Sequence, residues 1–263
     1  MQIQEYGIGR FNEACRLEVQ ANTENWEVLT ERIGRWVDFE NDYKTIDPEF
    51  METVWWVFKQ LWDKGLVYQD RQVLPYSYGE TTPLSNFEAN LDYRDTEDPS
   101  ITVRLPAVES RGPVEEGDYF LIWTTTPWTL PANLAIAIGD DIEYARVAHG
   151  GEHYWVAANL ASSILEEPRV VSTANGSDLL GVSYEPPFDY FGEQRDHGAF
   201  RIISSPDTST DEGTGLVHMA PAYGEADFFA LQNAGRDVLV DQVDAHCTFT
   251  EPTTDIARHN TTV

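Results

Sequence analysis

From Ile101 onward the chain breaks into short apolar segments, each of about four to seven residues. They are Ile101–Leu105, Tyr119–Thr125, Leu134–Ile138, Tyr144–Ala148, Tyr154–Ala157, Phe200–Ile203 and Leu216–Met219, with Gly and Pro between them. Segments of that length bounded by turn residues read as strands. Strands so short and so frequent bury their apolar faces by curling into a β-barrel or a compact α+β layer. One helix is expected among them, from about Tyr223 to Ala234, closed by Gly235. The first seventy residues follow a different period. Phe50, Val54, Val57, Phe58 and Leu61 recur at the spacing of one helix face. Asp47 stands at the N-cap, Pro48 at the first helical position, Lys64 in the last turn and Gly65 just past it. Earlier helices are expected from Phe11 to about Ala21 and from about Asn25 to Ile33. Leu66–Tyr76 alternates and reads as extended, and Tyr76–Pro83 is rich in turn residues. The division that follows is a helical part over 1–72, a connecting segment over 73–100 and a β-rich body over 101–263. Within that body Ala245–Val263 shows little periodicity. The fold class is α/β, of the α+β kind.

The chain has 263 residues, enough for one large domain or two ordinary ones. With 8 Trp, 12 Tyr and 12 Phe it can build a core despite a net charge of −28, because disordered chains lack aromatics. The 45 acidic residues are spread end to end, and Lys44, Lys59 and Lys64 are the only lysines among 17 basic residues. A diffuse acidic excess suits a surface adapted to a salty cytoplasm, where self-repulsion is screened. Charge of this sign argues against a nucleic-acid partner at low salt, since phosphate binding rests on clustered Lys and Arg. High salt weakens that objection. Cys15 and Cys247 are too few for a disulfide scaffold or a thiolate zinc site. No apolar run reaches membrane-spanning length, and no secretory leader is visible. A cytoplasmic setting without a membrane partner is expected.

Three clusters can carry chemistry. Trp123-Thr-Thr-Thr-Pro-Trp-Thr-Leu-Pro-Ala-Asn133 sets four hydroxyls and an amide at the end of an apolar strand, which Pro127 stops by removing a donor. The plainer alternative is a Thr-rich strand and turn that uses β-propensity. Gly213-Thr-Gly-Leu-Val-His-Met-Ala-Pro-Ala-Tyr-Gly-Glu-Ala-Asp227 has two glycines that let the backbone approach a neighbour closely. His218 lies on the strand after them, and Asp227 in the first turns of the next helix, where a carboxylate is favoured and can meet a cation. The alternative is a satisfied core His and a helix-start Asp. Leu74-Pro-Tyr-Ser-Tyr-Gly-Glu-Thr-Thr-Pro-Leu-Ser-Asn-Phe-Glu88 reads as a structured turn leading into a strand, with no metal signal. Neither a GxxxxGK[ST] loop, a GxGxxG fingerprint nor a GxSxG elbow is present. Asp140–Asp141 and Asp211–Glu212 read as solvated surface rather than acid–base pairs, because neighbours in a strand face opposite ways.

Together these clusters resemble isoleucyl-tRNA synthetase of class I, in its archaeal and eukaryotic cytosolic form. The similarity extends through Gly34-Arg-Trp-Val-Asp-Phe-Glu-Asn-Asp-Tyr-Lys-Thr, Met51-Glu-Thr-Val-Trp-Trp-Val-Phe-Lys-Gln-Leu-Trp and Thr82-Pro-Leu-Ser-Asn-Phe-Glu. It covers residues 1 to about 245. The Thr-Thr-Thr-Pro-Trp-Thr block is specific, since the valyl and leucyl relatives carry a TTRP-type variant there. The family's ATP-binding HIGH and KMSKS motifs do not occur in this sequence, nor does its anticodon-binding domain. The resemblance therefore implies an internal fragment: a helical remnant of the Rossmann-type catalytic domain, followed by most of a β-barrel-like editing domain.

The activity this implies is hydrolytic proofreading. A pocket for Ile cannot strongly reject Val, because one methylene is worth about 1–3 kcal/mol, an established figure for this very family. A second site admits Val, excludes Ile by size and hydrolyses the Val ester on the isoleucine tRNA. By resemblance the catalytic group is Asp227, Thr125 and His218. Asp227 binds the α-ammonium, His218 shapes the side-chain pocket, and Thr125 with its neighbours positions ester and water. Trp123, Thr124, Thr126 and Asn133 complete the substrate-binding set. No metal or other cofactor is implied for this step, whereas the parent enzyme uses ATP and Mg for aminoacylation. Tyr76-Ser-Tyr-Gly stands where bacterial relatives carry a Cys-containing knuckle. The partners implied are the acceptor end of Val-charged isoleucine tRNA and the remainder of the synthetase, with the chain itself a monomer. The alternative is an inactive remnant that at most binds the acceptor end. A third reading, an acidic Trp-rich β module binding carbohydrate, ignores the resemblance.

Overall fold

The computed structural model describes residues 2–256, so the last seven residues of the weakly periodic tail lie outside the described residues. The chain forms two compact units, residues 1–70 and 71–263.

In the first unit the helices are α1 (Gln2–Tyr6), α2 (Ile8–Gln20), α3 (Thr23–Arg32) and α4 (Pro48–Asp63). The α4 boundaries follow the sequence signals closely. Pro48 occupies its first turn, and Gly65 takes a φ of +69°, open to it at no steric cost. The Leu66 N–H then bonds back to the Leu61 carbonyl, satisfying an otherwise orphaned acceptor. Asp47 holds the N-cap position, yet its carboxylate accepts from the Lys44 N–H instead of capping the helix. No residue of α4 is buried, and Trp55 is 70% exposed.

The second unit begins with a two-residue hairpin, β1 (Tyr76–Ser77) against β2 (Thr82–Pro83). It leads into one helical turn, α5 (Asn86–Ala89), and not into the strand expected there. The reason is local: Ser85 accepts from the Glu88 N–H while the Glu88 carboxylate accepts from the Ser85 N–H, a complete capping box. The strands of the main sheet are β3 (Ile101–Pro106), β4 (Tyr119–Thr124), β5 (Ala135–Ile138), β6 (Glu143–His149), β7 (Glu152–Ala157), β8 (Arg169–Asn175), β9 (Arg201–Ser204) and β10 (Val217–Met219). Short α6 (Ala161–Ile164) follows β7, and α7 (Glu225–Asn233) follows β10. The sheet curls. One edge of β4 pairs with β3; the other pairs with β7 at its start and β10 at its end. β10 continues to β5 and β5 to β9. Bridges Ser183↔Arg201 and Ala107↔Tyr184 then return the pairing to the end of β3, closing a ring. β6 and β8 extend the sheet beyond β7.

Phe120 and Ile122 of β4 point into the ring with Leu134, Ile136, Ile138, Trp155, Tyr184 and Ile202. Leu121 faces the other way, into a smaller cluster with Val147, Tyr154 and Val156. Both faces of β4 are therefore apolar, which is why its sequence runs unbroken instead of alternating. β8 escaped the sequence reading because it is an edge strand with no buried residue, and so it lacks an apolar period. A buried polar knot holds the extension to the ring: the Arg146 guanidinium donates to both oxygens of Asp118 and to Glu115, and the Trp155 indole N–H also donates to Asp118.

Candidate active site

The C-terminal end of β4 and the start of β10 lie side by side, with Trp123 in register with Val217. The pairing is parallel, so the threonines that follow Trp123 and the His218 that follows Val217 enter the same region. β10 then leads through Ala220 and Pro221 into α7, whose first turn returns Asp227 to that region. Here a cavity of about 500 Å³ opens, within the range of small-ligand sites. It is lined by Trp123, Thr124, Thr125, Thr126, His218 and Asp227 among others. The structure therefore brings six of the seven candidate residues to one cavity.

Asn133, the seventh, does not line the cavity. It lies buried behind His218, with its amide nitrogen 2.8 Å from His218 Nδ1 and 3.1 Å from the Ala135 carbonyl. On the other side of the ring, His218 Nε2 is 2.9 Å from Thr129 Oγ1. Burial pushes the His218 imidazole down to a pKa of about 4, so it is neutral at ordinary pH. With both nitrogens engaged by protein, the ring has no free lone pair to take a proton from water. What it offers the cavity is shape.

Asp227 is half-buried, and burial raises its carboxyl pKa. One oxygen accepts the Ala220 N–H at 2.7 Å; the other has capacity for a ligand. The carboxylate sits so close to the chain that a Cβ at Gly224 would meet its carbon at 2.9 Å. Thr124 Oγ1 accepts the Thr126 N–H at 3.1 Å and lies 3.2 Å from Thr126 Oγ1, which gives the threonine segment a tight, hydroxyl-linked turn. Thr125 and Thr126 are exposed at the cavity mouth. The two glycines do what their spacing foretold. A Cβ at Gly213 would lie 2.8 Å from the Trp123 ring, and one at Gly215 would lie 2.5 Å from Ala157 Cβ, and both glycines have positive φ.

Sequence reasoning missed the acidity of the cavity. Asp207, Asp211 and Glu212 join Asp227 in its lining, which includes no Lys or Arg. Asp211 and Glu212 are exposed, as expected for solvated surface, and they also stand on the rim. They belong to a loop and not a strand, so the alternating-face argument does not separate them. No period or motif marks a loop of this kind, and only its position beside β4 reveals it. A site with four carboxylates and several hydroxyls attracts a cationic group and repels phosphate. Among the described residues, no group of three or more His, Cys, Asp or Glu side chains is placed to hold a metal ion. No helix among them is long and apolar enough to cross a membrane.

Residues 1–255 match the family model described as tRNA synthetases class I (I, L, M and V). The chain belongs to this family. Similar curated relatives are isoleucine–tRNA ligases. That of Bdellovibrio bacteriovorus is 47% identical over 257 residues, covering 95% of this chain and 24% of the relative. That of Chlamydia pneumoniae is 44% identical over 254 residues, with the same two coverages. That of Mycobacterium tuberculosis is 46% identical over 242 residues, covering 89% and 23%. This class I synthetase chain thus spans about a quarter of the length of the curated relatives it matches. Among solved structures it is similar to one described as GlLeuRS-CP1, at 18% identity and a TM-score of 0.43, covering 51% of this chain and 60% of that one. It is also similar to the editing domain of the P. knowlesi cytosolic leucyl-tRNA synthetase, at 10% identity and a TM-score of 0.40, covering 52% and 63%.

Proposed function

We propose that residues 101–256 hold the editing site of an isoleucine–tRNA ligase, which hydrolyses the ester between Val and isoleucine tRNA. The observation that carries this reading is the cavity beside β4: one half-buried carboxylate, Asp227, shares it with a set of hydroxyls and a neutral imidazole, and every charged side chain of its lining is acidic. An aminoacyl ester carries its positive charge on the α-ammonium. Asp227 is the anchor for that group, and the attraction offsets the cost that burial sets on its charged form. The neutral edge of His218, with Trp123, forms the wall against which the Val side chain fits and the longer Ile side chain does not. Thr124, Thr125 and Thr126 hydrogen-bond the ester and an attacking water at the mouth. Proximity and orientation do the rest, with a hydroxyl of the terminal ribose assisting and no protein nucleophile required. The acidic lining keeps the tRNA phosphates outside.

The parent enzyme's ATP-dependent attachment of Ile, with Mg, lies beyond this sequence, since neither of the family's ATP-binding motifs occurs in it. The partners in this reading are the acceptor end of isoleucine tRNA and the remainder of the synthetase, in the cytoplasm, with the chain acting as a monomer. In this reading the diffuse acidity suits a high-salt interior, and the motif text resembles the archaeal and eukaryotic cytosolic form. The test is deacylation of Val-charged isoleucine tRNA by the purified chain across a KCl series, with the Ile-charged tRNA as control. Hydrolysis of the Val ester in preference to the Ile ester is expected. A folded sample that cleaves neither ester, or both equally, overturns the reading.

A further inference from the structure

Tyr184 is fully buried in the ring and contributes nothing to the cavity lining, yet its hydroxyl donates to Asn133 Oδ1. The Ala135 carbonyl can only accept, so the Asn133 group 3.1 Å from it is the amide NH₂. The other hydrogen of that NH₂ points at His218 Nδ1, 2.8 Å away, which must then present its lone pair. A neutral ring with a bare Nδ1 carries its proton on Nε2, and that proton goes to Thr129 Oγ1 at 2.9 Å. The Thr129 hydroxyl hydrogen in turn goes to the Thr126 carbonyl, 2.9 Å away. Every donor meets an acceptor in one arrangement. The opposite tautomer would set an Nδ1–H against the Asn133 NH₂. The relay ends at Thr126, whose backbone carries the hydroxyl segment of the cavity mouth.

We propose that Tyr184 is a positioning residue: through Asn133 it fixes His218 as the Nε2–H tautomer and thereby sets both the pocket wall and the threonine turn. Asn133, on this account, acts on the ring and not on the substrate. The part of the proposal that concerns ester selection rests on the editing reading above. The part that concerns the tautomer does not.

The experiment is ¹⁵N spectroscopy of the chain with labelled histidine, in which His218 is identified among six histidines by its loss in His218→Gln. The parent is expected to show His218 as a single neutral ring, Nε2 protonated and Nδ1 accepting. Tyr184→Phe removes one of the two anchors of the Asn133 amide. It is expected to draw the two nitrogen shifts toward each other and to lower the Val-over-Ile preference by about tenfold, the size one internal hydrogen bond commands. Asn133→Asp replaces the donor with an acceptor and is expected to move the proton to Nδ1. That variant decides the matter if Tyr184→Phe does not fold. A parent spectrum with Nδ1–H overturns the proposal outright. So does a folded Tyr184→Phe with the parent's His218 spectrum, or an Asn133→Asp that keeps the proton on Nε2. If the parent cleaves neither ester, the editing reading falls while these spectra still judge the lock.

Discussion

Replacing Asp227 with Asn should separate stability from function in this molecule. The substitution keeps the shape and leaves an oxygen to accept the Ala220 N–H, now at 2.7 Å from the carboxylate. It removes only the charge. Burial raises the pKa of this carboxyl in the folded chain, so the fold holds the proton more tightly than the unfolded chain does. Stability associated with Asp227 is therefore present at low pH and is lost as pH rises through its folded pKa. At neutral pH the ionised group is a cost to the fold, and Asp227→Asn should melt at the same temperature as the parent or higher, as functional sites that strain a fold often do. Activity should move the other way. A hydrogen bond to a charged group contributes about 1.5–3 kcal/mol, which at about 1.4 kcal/mol per factor of ten predicts a fall in kcat/KM for Val-ester hydrolysis of roughly 10- to 150-fold. The assay is deacylation under single-turnover conditions at neutral pH, with melting followed by circular dichroism on the same samples. A variant that melts higher but retains kcat/KM to within about twofold would refute the ammonium-anchor argument. One that loses activity only in proportion to lost fold would refute the claim that the charge is a cost.

Two further outcomes follow from buried groups. Arg146→Met takes from Asp118, 2% exposed, its guanidinium partner and leaves the Trp155 indole N–H, the Glu115 N–H and, at 4.0 Å, the His153 ring beside a buried charge. The expected loss is about 3–5 kcal/mol in urea unfolding, and a loss under 1 kcal/mol would show that Asp118 finds water. His218 has its pKa lowered to about 4 in the folded chain against 6.5 unfolded, so between those values only the unfolded state binds the proton and stability drains as pH falls. His218→Gln should flatten that slope by up to one proton, about 1.4 kcal/mol per pH unit. Parallel profiles for variant and parent would contradict the burial argument.

How much of this was legible in the sequence differs from element to element. α4 could be bounded almost to the residue, because Pro48, Gly65 and the apolar spacing are local signals that local physics obeys. The strands β4, β5, β7, β9 and β10 were legible because each carries an apolar run that must be buried. β8 was not, since an exposed edge strand has no side that the core selects. The turn before α5 reads as leading to a strand, although the Ser85 and Glu88 of the capping box stand in the sequence three residues apart. Six of the seven candidate site residues share one cavity, and Asn133 stands one layer behind it.

The sequence by itself determined the two periods, the points where the chain turns, and the motif text that places it among class I tRNA synthetases. Those features depend on residues close together in the chain, so they survive without a third dimension. The tertiary structure alone decided that the end of β4 and the start of β10 lie in parallel register, that the loop carrying Asp207, Asp211 and Glu212 makes the cavity acidic, and that Tyr184 reaches His218 through Asn133. These relations join residues up to about a hundred positions apart through hydrogen bonds whose direction depends on which donor meets which acceptor. No local pattern encodes that choice; the closed ring makes it by bringing their backbones together.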